Sequence, residues 1–146
     1  MTSCYSLLVK HPHEFGLLSF SETNGTVTVF EEGTIPFAVS RVFLVEAKSG
    51  EIRGAHAHRK CQQLLVAISG EITVRVNDGL LETTHRLTNS GTGLVIPAMI
   101  WATQQYAGED AKLLVICDQL FDEADYIRDF TEFTSQVRQF SLKKPR

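Results

Sequence analysis

Residues 53–60 read RGAHAHRK and place two histidines, His56 and His58, two positions apart. On a strand, side chains at that spacing project to the same face. Two adjacent imidazoles suit three arrangements: part of a metal-ligand set, a proton-transfer pair, or two hydrogen-bonded structural side chains. Imidazole titrates near neutral pH, so a histidine takes or gives a proton at small cost. Arg53 stands ahead of the pair, and its guanidinium offers a paired-donor fork for an anionic or carbonyl oxygen. If the strand continues without a bulge, Gln62, Leu64 and Val66 join the same face, and the apolar members make it the inward one. Arg53 then lies one step outside, while Gly54 suits a bulge or a close backbone approach. Two inward imidazoles beside the cations Arg53, Arg59 and Lys60 fit a working site at a barrel mouth better than a passive core.

The surrounding sequence explains how such a face could be held. Ile72, Val74 and Val76 alternate with Glu71, Thr73, Arg75 and Asn77, the mark of a strand with one buried face. Residues 26–30, 37–47, 63–69, 80–87, 92–96 and 111–118 also read as strands. Turn signals separate them at Asn24–Gly25, Ser49–Gly50, Ser69–Gly70, Asn77–Asp78–Gly79 and residues 90–93. Short strands at roughly ten-residue spacing predict an antiparallel β-sandwich or barrel. In FDEADYIRDFTEFTSQVRQF, Tyr126, Phe130, Phe133 and Val137 recur at helical spacing, with Asp122 or Asp125 as caps. That short C-terminal helix should pack outside the barrel or on a partner subunit. Arg41 alternates with Phe43 and Val45, which points its guanidinium inward.

Length and composition narrow the classes of function. A chain of 146 residues suits one domain spanning 1–146, with 43% hydrophobic and 21% charged residues typical of a soluble globule. The net charge of −3, with no basic run before a C-terminal Lys143, Lys144 and Arg146, argues against a nucleic-acid surface. Cys4, Cys61 and Cys117 lack any C-x-x-C spacing and suit free thiols in a reducing compartment. No apolar run is long enough to span a membrane, and the N-terminus lacks a signal-peptide layout, so a cytoplasmic location is expected. His11 and His13 flank a proline and read as an exposed loop.

GAHAH in an all-β chain of this size resembles the cupin superfamily, whose members are jelly rolls. Metal-binding cupins add a carboxylate four or five residues later and a further histidine in a second motif. Here those positions carry Gln62 and Gln63, and the second motif aligns on Pro97 to Ala102 without its glycine or histidine. His85 reads as a surface or packing residue. Two imidazoles without a carboxylate are too few for zinc or iron, which want at least three protein ligands. Acid–base chemistry is what remains, and no metal is expected.

RGAHAHRKCQQLLVAISGEITVRVNDG, GLVIPAMIWATQQY and FDEADYIRDFTEF together resemble the dTDP-4-keto-6-deoxyglucose 3,4-ketoisomerases. The resemblance implies conversion of a dTDP-linked 4-keto sugar to its 3-keto isomer through an enediol, with no cofactor. It implies His56 as base and His58 as shuttle, with Arg53 on the diphosphate or the ketone. Arg41, Gln62, Trp101 and Tyr106 are further candidates for lining the pocket, Trp101 being equally suited to core. The family often carries tyrosines on the strand that here reads RVFLVEA, where Phe43 and Leu44 supply no hydroxyl; Tyr106 or water would have to substitute. The resemblance also implies a homodimer with exchanged N-terminal strands and a product used for a 3-amino-3,6-dideoxyhexose of a surface polysaccharide. Competing readings are a 3,5-epimerase on the same substrate, a metal-dependent cupin, and a non-catalytic sugar-nucleotide binder.

Overall fold

The computed structural model describes residues 11–88 and 91–142. Cys4, the N-terminal segment through Lys10, Ser90 of the expected turn at 90–93, and the basic tail from Lys143 lie outside the described residues. The chain forms β1 (His13–Gly16), β2 (Leu18–Glu22), β3 (Gly25–Val29), β4 (Arg41–Glu46), β5 (Ile52–His58) and β6 (Gln63–Asn77). Next come β7 (Glu82–Leu87), β8 (Thr92–Ile96), β9 (Trp101–Cys117), β10 (Tyr126–Ile127) and the helix α1 (Phe130–Leu142). One curled antiparallel sheet runs β1-β8-β6-β9-β5-β10, with β4 beside β9 and β7 beside β6; β2 and β3 form a separate hairpin. This is the all-β barrel with a short C-terminal helix that the strand spacing implies.

Alternation sets the two faces. On the β6–β9 ladder, Ile72, Val74 and Val76 stand opposite Tyr106, Gln104 and Ala102, so all six share the interior face. Leu65, Ala67, Leu94, Leu113, Val115 and Cys117 complete that core, with Phe43 and Val45 packed against it. Leu64 and Val66 belong instead to a second layer with Val95, Ile116 and Ile35, covered by Phe15, Phe30 and Phe37. The expectation that Gln62, Leu64 and Val66 share the face of the histidines is therefore corrected. The chain breaks pairing at residues 59–62 and re-enters the sheet as β6 with Gln63, Leu65 and Ala67 inward.

Two glycines bend strands, Gly70 where the sequence suggested a turn between strands and Gly54 where it suggested a bulge or close backbone approach. Ser69–Gly70 is a corner inside the 15-residue β6 rather than a turn between two strands. Gly70 adopts φ +68, and a Cβ there would meet the Ala107 carbonyl oxygen at 2.8 Å. In β5 the register with β9 shifts between Gly54 and His56, leaving Ala55 as the extra residue of a bulge, with φ +83 at Gly54 and +57 at Ala55. A Cβ at Gly54 would lie 2.7 Å from Gln104 Oε1 and 3.0 Å from the Ala102 carbonyl oxygen. Gly54→Ala is expected to cost about 1–3 kcal/mol of stability, read from the urea unfolding midpoint.

The helix begins later than its pattern implies. Asp122 caps a single 3-10 turn, Glu123–Asp125, by accepting from the Ala124 N–H, and Tyr126 then enters β10. Asp129 caps α1 by accepting from the Glu132 N–H at 2.7 Å. The fully buried Phe133 packs with Ala57 and Ile127, flanked by Met99, Trp101 and Val137, so α1 covers the outside of the barrel behind β5.

Candidate active site

His56 and His58 lie side by side as their spacing predicts, with ring centroids 5.0 Å apart and planes nearly perpendicular. β10 pairs antiparallel with the end of β5, setting Tyr126 opposite His58 and Ile127 opposite Ala57. The Tyr126 ring lies 4.4 Å from the His58 ring and 5.0 Å from the His56 ring. Arg128 covers its other side, Cζ at 4.3 Å from the ring centroid, and donates to both carboxylate oxygens of Glu123 at 2.7 and 3.1 Å. The same turn supplies Asp125. Its Oδ2 accepts from His58 Nδ1–H at 3.0 Å, and its oxygens also accept the backbone N–H groups of Lys60 and Cys61.

That carboxylate decides the chemistry of His58. With the proton held on Nδ1, Nε2 carries the lone pair. Among the described residues, His58 Nε2 and His56 Nδ1 are buried without a hydrogen-bond partner. Burial pushes the His58 pKa below the usual imidazole value, while the Asp125 hydrogen bond and charge oppose the shift. Burial, reinforced by the neighbouring His58, lowers His56 to about 4. Both rings are therefore neutral at physiological pH.

Depressed folded-state values carry a sign for stability. Below an unfolded value near 6.5 the unfolded chain takes up a proton that the folded His56 refuses until about pH 4. Stability is therefore whole above pH 6.5 and declines as pH falls towards 4, by up to about 3 kcal/mol for His56 before solvent screening. Urea unfolding as a function of pH should show this loss. His56→Gln, which does not titrate, should flatten it.

As a metal set, the nearby donors fit poorly. One donor atom each of His58, Cys61 and Asp125 lies within 4.8 Å of the other two. The first is a protonated donor to the third, and the Cys61 thiol, pushed up by Cys117 and burial, donates to the Gln62 carbonyl oxygen at 3.3 Å. The three residues are held in a hydrogen-bond network that keeps the imidazole and thiol protons in place.

Residues 11–138 match the protein family described as FdtA: WxcM-like, C-terminal. The chain belongs to this family. A curated relative, the TDP-4-oxo-6-deoxy-alpha-D-glucose-3,4-oxoisomerase of Aneurinibacillus thermoaerophilus, is 30% identical over 125 residues, 84% of this chain and 90% of the relative. The crystal structure of a 3,4-ketoisomerase from Helicobacter canadensis superposes with a TM-score of 0.83 at 29% identity, covering 87% of this chain and 97% of that one. WlaRB, a TDP-quinovose 3,4-ketoisomerase from Campylobacter jejuni, superposes at 0.81 with 29% identity, covering 87% and 99%.

Other expected site residues of this FdtA-family chain divide between the interior side that carries the histidines and its surroundings. The β5 bulge brings Arg53 opposite Gln104, hence onto the interior side with His56, instead of the step outside expected for a regular strand. Its charge reaches the buried Tyr106 hydroxyl, whose pKa burial nonetheless pushes up to about 12. Tyr106 sits in the core, 0% exposed, its hydroxyl without a hydrogen-bond partner among the described residues. Arg41 points inward as its alternation predicts: Nη2 donates to Cys117 Sγ at 3.7 Å, and the guanidinium lies over Phe43. Gln62 turns away, its amide donating to Asp118 Oδ2 at 3.1 Å. Trp101 is corrected to the outer face, stacked 5.2 Å from Phe130 and 5.8 Å from Phe133 under the helix. Its register partner Asn77 lies one step out of phase with the inward Val76.

Asp125, Tyr126 and Arg128 beside the histidines, and the interior Gln104 opposite Arg53, were not singled out as site residues by the sequence reasoning. Gln104 is a buried polar side chain on the interior face, hidden in the polar run TQQ. The other three belong to FDEADYIRDFTEF, whose helical periodicity suggested packing alone. The usable signal was charge: alternating acids and arginines around one tyrosine exceed what the covering of a barrel wall needs. Two surface clefts, about 230 Å³ beside Glu46 and Lys112 and about 130 Å³ beside Leu17 and Phe30, are lined by none of these residues.

Proposed function

We propose that this chain converts dTDP-4-keto-6-deoxy-D-glucose to its 3-keto isomer by proton transfer through an enediol. The observation that carries this reading is a buried imidazole oriented by a carboxylate, with an unpaired Nε2, beside a second imidazole that stays neutral. The activities of the curated relative and of both solved structures support it.

The C4 ketone acidifies the hydrogen on C3. His58 Nε2 removes it as a proton, the bonding pair forms the C3–C4 double bond, and charge collects on O4. Neutral His56 donates an N–H hydrogen bond to that oxygen, which a ring with so low a pKa does without ionising. Return of a proton to C4, with loss of the O3 proton and gain of one on O4, leaves the ketone on C3. This assignment reverses the roles expected from resemblance, because Asp125 orients His58. Arg53, exposed at the mouth on the interior side, is suited to the diphosphate.

We infer a homodimer as well. Leu18, Phe20 and Val27 of the β2–β3 hairpin and Val42, Leu44 and Ile52 on β4 and β5 are exposed apolar side chains that a second copy would cover. Light scattering should report twice the 16.3 kDa of one chain. Among the described residues no helix is long and apolar enough to cross a membrane. A cytoplasmic enzyme feeding a 3-aminotransferase for surface-polysaccharide sugars is the corresponding physiological reading.

Incubation with the dTDP-4-keto sugar in D₂O tests the reaction, with the labile product trapped by a 3-aminotransferase and examined by NMR. A 3-keto product with ring deuterium is expected. Exchange at C3 and C5 with the ketone still on C4 would indicate an epimerase, and binding without exchange a sensor; either result ends this reading.

A further inference from the structure

The imidazoles account for the carbon-bound proton, yet the isomerisation also moves one proton between oxygens, from O3 to O4. A group that does this must both donate and accept while staying neutral, and a hydroxyl has that capacity. The expected strand offers none: Phe43 faces the interior and Leu44 is 58% exposed on the outer side. Of the three tyrosines, Tyr5 lies outside the described residues and the Tyr106 hydroxyl is sealed in the core.

Tyr126 is differently placed. Its ring touches both imidazoles, at 4.4 and 5.0 Å, and like His56 it is partly exposed, so it lies at the rim of the pair beside the buried His58. Three features hold it there. β10 hydrogen-bonds to the end of β5 opposite His58, Arg128 covers one side of the ring, and Phe121 packs at 5.7 Å. Arg41 on β4 is near enough to the phenol for the two to interact. Asp125 and Tyr126 are consecutive, so one turn delivers the carboxylate that orients His58 and a hydroxyl beside both rings.

We propose that Tyr126 is a catalytic residue of the ketoisomerase, relaying the hydroxyl proton from O3 to O4. Its O–H bond breaks as the proton passes to O4, and a new O–H bond forms with the proton released by O3. The tyrosine ends as it began, and no oxidant or further reactant is needed. The inference rests on the ketoisomerase reading and deepens it.

Tyr126→Phe in the full chain separates the two proton movements. The His58–Asp125 pair is untouched, so exchange of the C3 hydrogen into recovered substrate in D₂O should stay within about threefold of wild type. Formation of the 3-keto product should fall about 10–100-fold, with substrate Kd and melting temperature unchanged. A parallel fall of exchange and product would mean that Tyr126 only positions His58, and unchanged product formation would mean that it takes no part; both overturn the proposal. If wild type itself shows neither exchange nor product, the ketoisomerase reading has failed instead.

Discussion

Replacing His58 with glutamine is expected to lower kcat by about 10³–10⁴-fold and to abolish C3 exchange in D₂O. Glutamine has no basic nitrogen at physiological pH, so no side chain at this position could take the C3 proton. The fold should survive. The backbone of His58 keeps its bond to the Met99 N–H, at 2.7 Å, and its pairing with Tyr126. A glutamine can still donate to Asp125. KM should change little, because the ring acts on the reacting carbon and Arg53 lies farther along β5. Exchange and product formation followed by NMR, with a thermal melt as control, check the claim. A loss of less than tenfold would move the base elsewhere.

Asp125→Asn should cost about 10²–10³-fold in kcat/KM through the tautomer of His58. The native carboxylate accepts on both sides, from His58 Nδ1–H and from the backbone N–H groups of Lys60 and Cys61. An amide has one oxygen and one NH₂. With the oxygen satisfying the backbone, the NH₂ faces Nδ1, moves the ring proton to Nε2 and removes the lone pair from the substrate side. The pH profile gives a second, signed readout. A base works only when neutral, so kcat/KM rises with pH through the His58 pKa. Asp125 raises that pKa against burial, and its neutralisation lowers it further. The acidic limb of the variant should therefore move to lower pH while its plateau drops. A limb that moved upward, or stayed in place, would show that Asp125 does not act through His58.

Relations within one strand were legible without a structure. His56 and His58 share a side, Arg41 points in with Phe43, and the alternation at residues 71–77 buries Ile72, Val74 and Val76. Each follows from the two-residue period of extended chain, which depends on local backbone geometry alone. The same rule failed wherever the backbone left that geometry. One extra residue at Ala55 carried Arg53 to the other side, and the break at residues 59–62 reversed the phase of residues 63–67 until the corner at Ser69–Gly70 restored it. Periodicity also misled at Tyr126, where helical spacing continued upstream of a helix that begins only at Phe130.

By itself, then, the sequence determined an all-β barrel and a pair of neutral-range proton carriers on one wall. Tertiary structure alone decided what makes those carriers unequal. Asp125 stands 67 residues from His58, and Tyr126 joins it only because β10 closes onto the end of β5. That closure depends on the folded barrel offering a free strand edge and an apolar outer wall for Phe133, neither of which exists in any local stretch of chain.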